Sequence, residues 1–179
     1  MLDRLKRIRN QTDIVLSSRF LKNLSTLERY EFLQLCHRRT YKEGEYIFYR
    51  NDPGTGMYFI EEGKIELTVE TGSEESDKYQ PGLLLDPPDS FGALSIGYNL
   101  RRKSSARCVT DCKLLGFFKP DFEILRDRHP QIAVKFLQTL SNIALRQLEK
   151  TQQRLAELTD SQTALTIQFD SYYSETEEE

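Results

Sequence analysis

From Thr40 to Lys119 short apolar runs are stopped again and again by residues that turn the backbone, and this punctuation limits the fold more than any other feature of the 179 residues. Tyr46 and Phe48 lie on one side of Asn51-Asp52-Pro53-Gly54-Thr55-Gly56, and Tyr58 to Ile60 on the other. Glycine and asparagine reach left-handed angles and proline presets a turn, so this cluster reverses the chain. Glu62-Gly63-Lys64 leads into Ile65, Leu67 and Val69, which alternate with polar or charged neighbours as a half-buried strand does. Gly72 to Asp77 is polar and acidic, the composition of an exposed hairpin tip. Leu83-Leu84-Leu85 reads as a short strand that Asp86-Pro87-Pro88-Asp89 ends, and Ala106 to Phe118 supplies two further strand-like runs. Many short strands at turn spacings of about 8–12 residues predict a β-sandwich or barrel.

Both flanks of this region follow a helical period instead. Residues 1–22 form an N-terminal segment in which Leu5, Ile8, Ile14, Val15, Phe20 and Leu21 make a weakly amphipathic pattern with a basic start, Arg4, Lys6, Arg7 and Arg9. Four charges without aromatic interleaving read first as a solvated helix face and second as a binding arm. Ser25 and Glu28 are spaced as a capping box for a helix that should stop near Cys36. Pro120-Asp121 opens a short helix through Leu125, and Pro130 suits the first turn of another. From Val134 the residues Leu137, Ser141, Ala144, Leu148, Thr151, Leu155, Leu158, Gln162, Leu165 and Phe169 recur three and four apart, a heptad seam of roughly five repeats. The expected organisation is therefore an entry helix and β-roll over 23–128, one long helix over 129–170 and an acidic tail over 171–179. At 1.5 Å per residue such a helix is about 60 Å long, too long to bury its whole seam on a small β domain. A second copy of the chain is the expected partner.

Composition narrows the function. The 25 Lys and Arg against 28 Asp and Glu give a net charge of −3, which offers no global case for nucleic-acid binding. The longest apolar stretches fall far short of the roughly 20 residues of a membrane span, and the start lacks the apolar run of a signal peptide. The expectation is a cytoplasmic protein without a membrane span. Three cysteines, Cys36, Cys108 and Cys112, suit a reducing compartment. Cys108-x-x-x-Cys112 lacks neighbouring third and fourth ligands, and His37 and His129 stand about ninety residues apart, so no metal ligands and no catalytic residues are expected.

Particular residues carry a likeness to a known family. Lys42-Glu43-Gly44-Glu45-Tyr46-Ile47-Phe48 resembles the "K-x-G-x-x-I-F" entry to the β-roll of cyclic-nucleotide-binding domains, the type found in catabolite activator protein and protein kinase A regulatory subunits. Asn51 to Gly54 through Met57-Tyr58-Phe59-Ile60, then Gly63-Lys64-Ile65-Glu66-Leu67, resembles its "G-D-x-G-x-x-x-Y-x-I-x-x-G-x-V" hairpins. Phe91-Gly92-Ala93-Leu94-Ser95 stands where that family has "F-G-E-L-A", the start of its phosphate-binding cassette. The resemblance spans residues from about 20 to 150. It implies a mainly β fold with flanking helices (α+β): an eight-stranded antiparallel β-roll, or double-stranded β-helix of jelly-roll type, with N-terminal helices and a long C-terminal helix.

It also implies a site. A short helix after Phe91-Gly92 would point N–H groups at a cyclic phosphate, and an arginine about ten residues on would bind it bidentately. The candidate ligand-binding residues are Phe91, Gly92, Ala93, Leu94, Ser95, Arg102, Lys103, Ser104 and Ser105. Ala93 replaces the glutamate that receives the ribose 2′-hydroxyl in the family. The cationic position falls on Arg102 counted forward from Phe91 and on Lys103 counted back from Thr110. Thr151 is a candidate contact to the base, or else a polar seam residue that sets helix register. Cyclic AMP or cyclic GMP is the implied regulatory ligand, and no cofactor is required. No winged helix with a basic recognition helix follows the seam, so DNA is not an expected partner.

Three functions remain on the sequence alone. The first is a regulatory sensor without catalytic activity that acts as a dimer. The second is an interaction or scaffold module whose roll has lost its ligand, with the helix seam holding a second copy or another protein. An enzyme on a cupin-like roll is the third, and it lacks the metal triad or acid–base pair it needs.

Overall fold

The turn-punctuated region becomes eight strands in a computed structural model that describes residues 17–69, 82–96 and 100–173, with side chains to 168. The strands are β1 (His37–Tyr41), β2 (Tyr46–Phe48), β3 (Gly56–Glu62), β4 (Ile65–Thr68), β5 (Leu83–Leu85), β6 (Ser90–Phe91), β7 (Ser105–Cys108) and β8 (Cys112–Phe118). They form two antiparallel four-stranded sheets in the orders β1-β8-β3-β6 and β2-β7-β4-β5. The helices are α1 (Thr26–Gln34), α2 (Lys119–Arg128), α3 (Pro130–Leu158) and α4 (Ser161–Tyr173). The expected fold class, an antiparallel β-roll with flanking helices, is the one found. By its contacts the chain divides into two units, one ending at Thr139 and the other beginning at Leu140.

In the first unit the side-chain period of two explains the layers. Along β3, Tyr58 and Ile60 face the opposite sheet, where they join Ile65, Ala106 and Cys108 in one core. Met57 and Phe59 point the other way, and all four are buried. A strand buried on both faces loses the apolar–polar alternation, and so β3 reads as a continuous apolar run. The outward face of that sheet carries a ring cluster: Phe32 of α1 lies 5.9 Å from Phe59, 4.5 Å from Phe117 and 5.7 Å from Phe136 of α3. Residues 18–24 add Phe20, Leu21 and Leu24 to the buried set.

The capping box anticipated at Ser25 is present, with Ser25 Oγ accepting from Glu28 N (3.3 Å) and Glu28 Oε2 from Ser25 N (2.7 Å). The same carboxylate receives Lys135 Nζ at 2.6 Å, so one glutamate caps α1 and ties it to the first turns of α3. Together these bonds hold its carboxyl below the ordinary glutamate value, with the Lys135 bond the largest cause.

The single helix expected over 129–170 is divided. Helix α3 stops at Leu158, and α4 starts at Ser161. Asp160 causes the break: its Oδ1 accepts from Thr163 N (2.9 Å) and its Oδ2 from Thr163 Oγ1 (2.6 Å), the bonds of a helix N-cap. Thr159 Oγ1 closes the preceding end by donating to Leu155 O at 2.8 Å. Within the second unit Leu145, Leu148, Leu158, Leu165 and Ile167 are exposed. Residues 1–16, most of the N-terminal segment, lie outside the described residues, as do the hairpin tip at 72–77 and the tail from 174. Residues 171–173, assigned to the tail on sequence, continue α4.

Candidate functional site

The site is built where two turns meet. Strand β6 ends at Phe91, whose ring stacks on Tyr58 at 5.4 Å and lies 5.9 Å from Phe48. Gly92 follows at φ +78, and the chain then winds into a 3-10 turn over Ala93–Ser95 that is closed by Ile96 N to Ala93 O at 3.0 Å. An L-residue at that φ is strained, which is why glycine stands between the strand and the turn. Across from it runs the Asn51–Gly56 turn. Gly54 packs against Ser95 so closely that a Cβ on Gly54 would lie 2.3 Å from Ser95 Oγ.

Between the two turns lies Arg102. Its backbone is clamped on both sides: Arg102 N donates to Asp52 O (2.9 Å) and Asn51 N donates to Arg102 O (2.9 Å). Gly54 N adds a bond to Leu100 O at 3.0 Å, and Pro53 pairs with Arg101 as a β-bridge. These bonds set the register that sequence counting left open. Arg102 is 5% exposed and turned inward, whereas Lys103 is exposed.

The guanidinium spans the site. Nη2 donates to Gly56 O at 2.7 Å, and Nη1 donates to Gly92 O at 3.2 Å and to Ser95 Oγ at 3.3 Å. Its carbon sits 4.1 Å from the centre of the Phe48 ring, within cation–π range. Nε is buried and has no partner among the described residues. Burial lowers the guanidinium's pKa from its ordinary value, opposed by Tyr58 and Asp52. An arginine stays charged at any ordinary pH, so the site holds a dehydrated positive charge at the mouth of a left-handed turn. Among the described residues it forms no ion pair. A buried cation without a counter-ion is costly unless something anionic offsets it.

The other residues singled out on sequence divide into four groups. Phe91, Gly92, Ala93, Leu94 and Ser95 form one strand-to-turn junction, of which Gly92 and Ser95 meet Arg102. Ala93 places a methyl group in the third position of the motif, with no acceptor atom. Ser105 is buried, and its hydroxyl is taken by Arg50 N at 3.0 Å; Ser104 is half-buried. Lys103 faces outward. Thr151 belongs to the second unit, is exposed, and donates its hydroxyl to Gln147 O at 2.8 Å on its own helix.

Sequence reasoning missed Phe48, Gly54 and Gly56 as parts of the site. Phe48 seats the guanidinium, Gly54 makes room for Ser95, and Gly56 contributes only its carbonyl. The sequence signalled Gly54 and Gly56 as turn residues, and no side-chain chemistry marks a carbonyl. Elsewhere, Cys108 and Cys112 are buried free thiols, with Cys108 pushed up to about 12 chiefly by burial. Each histidine meets a carboxylate, His37 with Asp121 at 2.9 Å and His129 with Glu31 at 3.7 Å. Among the described residues no group of three His, Cys, Asp or Glu is placed to hold a metal, and no helix is long and apolar enough to cross a membrane.

Comparison with known proteins places this geometry in company. The family model "Cyclic nucleotide-binding domain" matches residues 38–129. The chain is 34% identical over 102 residues to the Cyclic AMP receptor protein of Thermus thermophilus, covering 56% of this chain and 45% of that protein. It is 27% identical over 122 residues to human cGMP-dependent protein kinase 2, covering 67% of this chain and 15% of the kinase. The chain thus matches less than half the length of either relative. Among solved structures, Thermus thermophilus Catabolite Activator Protein superposes with a TM-score of 0.67 at 29% identity, over 79% of this chain and 63% of that one. The N-terminal domain of a transcriptional regulator from Streptomyces coelicolor A3(2) also has a TM-score of 0.67, at 22% identity, and shares the fold, over 78% and 94% of the two chains.

Proposed function

The chain belongs to the cyclic nucleotide-binding domain family, and from that premise we propose that it is a regulatory sensor without catalytic activity whose β-roll takes a cyclic nucleotide against Arg102 and the Phe91–Ser95 turn. One observation carries the reading: Arg102 is a buried guanidinium without a carboxylate partner among the described residues, set between the Gly92 turn and the start of β3. A cyclic phosphate is the anion that would complete it. Lys103, turned outward, takes no part. The methyl of Ala93 gives a ribose hydroxyl nothing to bond. A missing bond to a charged group costs about 1.5–3 kcal/mol, so affinity for cyclic AMP or cyclic GMP falls about ten-fold or more below that of a site with glutamate there.

The exposed leucines of the second unit, Leu145, Leu148, Leu158 and Leu165, support a homodimer formed through α3 and α4. They equally favour a second reading, an interaction module that holds another protein by the same residues while the roll stays empty. Titration calorimetry of the purified chain with cyclic AMP and cyclic GMP separates the two. Micromolar or tighter binding that Arg102→Gln abolishes and Lys103→Gln leaves intact establishes the sensor. No heat with either nucleotide, on protein shown free of co-purified ligand, leaves the interaction module.

A further inference from the structure

Arg102 is already occupied by the protein's own acceptors. A guanidinium carries five N–H groups. Three bonds run to Gly92 O, Ser95 Oγ and Gly56 O, the face is covered by Phe48, and Nε is buried without a partner among the described residues. Only 5% of the residue is exposed. Three of the five N–H groups are thus engaged within the protein, and Nη1, which carries two of those bonds, turns to an anion only once they are released.

Of the three acceptors, two are backbone carbonyls that no side-chain replacement can remove. Ser95 is the one acceptor of the set that a side chain supplies. Its hydroxyl has little freedom, because it is buried and lies against Gly54, where a Cβ would come within 2.3 Å. The 3-10 turn sets Ser95 three residues beyond Gly92, so its Oγ and the Gly92 carbonyl converge on the same nitrogen, Nη1.

We propose that Ser95 is a positioning residue that latches Arg102 onto the protein's own acceptors, so that the anion site is closed in the free protein and the cost of opening sets ligand affinity. This rests on the reading of Arg102 as the ligand's cation and adds its regulation. The observed dissociation constant equals the intrinsic one divided by the fraction of molecules with the site open. Removing one acceptor from a charged donor shifts that fraction by about ten-fold, the lower end for such bonds because 3.3 Å is long. Alanine keeps the backbone and the Cβ of Ser95 and deletes only the hydroxyl.

The test uses the full chain as Ser95→Ala and as Ser95→Cys, whose sulfur is a weaker acceptor. The first readout needs no ligand: the Arg102 Nε–H resonance in nitrogen-edited NMR spectra, assigned by its loss in Arg102→Lys, and its exchange with water. The expected result is slow exchange in the wild type, about ten-fold faster in Ser95→Ala and intermediate in Ser95→Cys. Unchanged exchange overturns the latch. The second readout is titration with cyclic AMP, which should bind Ser95→Ala about ten-fold more tightly than the wild type. Equal or weaker binding by a folded Ser95→Ala overturns the proposal too. If cyclic AMP binds neither form, the sensor reading fails, and the exchange rates still uphold or overturn the latch.

Discussion

Replacing Gly92 by alanine tests whether the site's geometry is as tightly interlocked as the distances imply. Two separate penalties arise. The backbone at φ +78 costs an L-residue about 1–2 kcal/mol. The new Cβ would also stand 2.5 Å from Arg102 Nη1 and 3.1 Å from Gly56 O. The guanidinium is the part that can move, and moving it gives up one of its Nη1 bonds, to Gly92 O or to Ser95 Oγ. Losing a charge-assisted bond adds about 1.5–3 kcal/mol, for a total of about 2.5–5 kcal/mol. A domain with 5–15 kcal/mol of stability still folds with that deficit. Urea denaturation should show the loss as a lower midpoint at unchanged slope. The discriminating measurement is the same substitution in an Arg102→Met background, where Nη1 is gone and only the backbone cost of about 1–2 kcal/mol should persist. A total cost below about 1 kcal/mol, or equal costs in the two backgrounds, would refute the argument that Gly92 and Arg102 are packed against each other.

Other consequences can be checked separately. Phe32→Ala removes a fully buried ring from contact with Phe59, Phe117 and Phe136, and denaturant titration should show a loss of about 3–5 kcal/mol; a loss under about 1 kcal/mol would show that the cluster collapses to fill the space. Glu28, whose carboxyl is held below its ordinary value of 4.5 first by Lys135 and then by Ser25 N–H, stabilises the fold above its unfolded value and stops doing so as pH falls through the lowered one. The melting temperature of Glu28→Gln should therefore fall less steeply with acid below pH 4.5 than that of the wild type, and parallel curves would contradict this. Asp160→Ala removes the cap of α4, and amide exchange over the first turn of that helix should speed up while exchange in β3 and β8 stays the same. Sedimentation should show a wild-type dimer that Leu148→Lys with Leu158→Lys converts to monomer; an unchanged sedimentation coefficient would remove the helices from the interface.

Much of the fold can be read locally because its signals are local. Ser25 and Glu28 cap α1 through residues three apart, and Asn51 to Gly56 turn the chain with the residue types that turns need. Phe91-Gly92 likewise marks the strand-to-turn junction, since φ +78 demands glycine. The break in the C-terminal helix was also legible: Asp160 followed three residues later by Thr163 is a cap spacing. The continuing three-and-four apolar repeat masked it, because a heptad count records side-chain period and is blind to a backbone that stops and restarts; in α4 it is Ala164 that is buried, while Leu165 of the seam is exposed.

The site divides in the same way. From sequence alone come the two turns, the basic run Arg101-Arg102-Lys103 beside them and the methyl of Ala93 in place of an acceptor. Which cation turns inward is a different kind of fact. It depends on bonds from Asn51 and Asp52 to Arg102, some fifty residues away along the chain, and one residue of slip would have buried Lys103 instead. Nor does any residue type announce that the carbonyls of Gly56 and Gly92 converge on one guanidinium, or that Ser105 gives its hydroxyl to Arg50 N. Every residue carries the same peptide groups, so their use is invisible until the chain folds. The sequence by itself determined the strands, the turns and the chemistry on offer. Only the tertiary structure decided which charge is buried and what it touches, because hydrogen-bond register is set between segments distant in sequence.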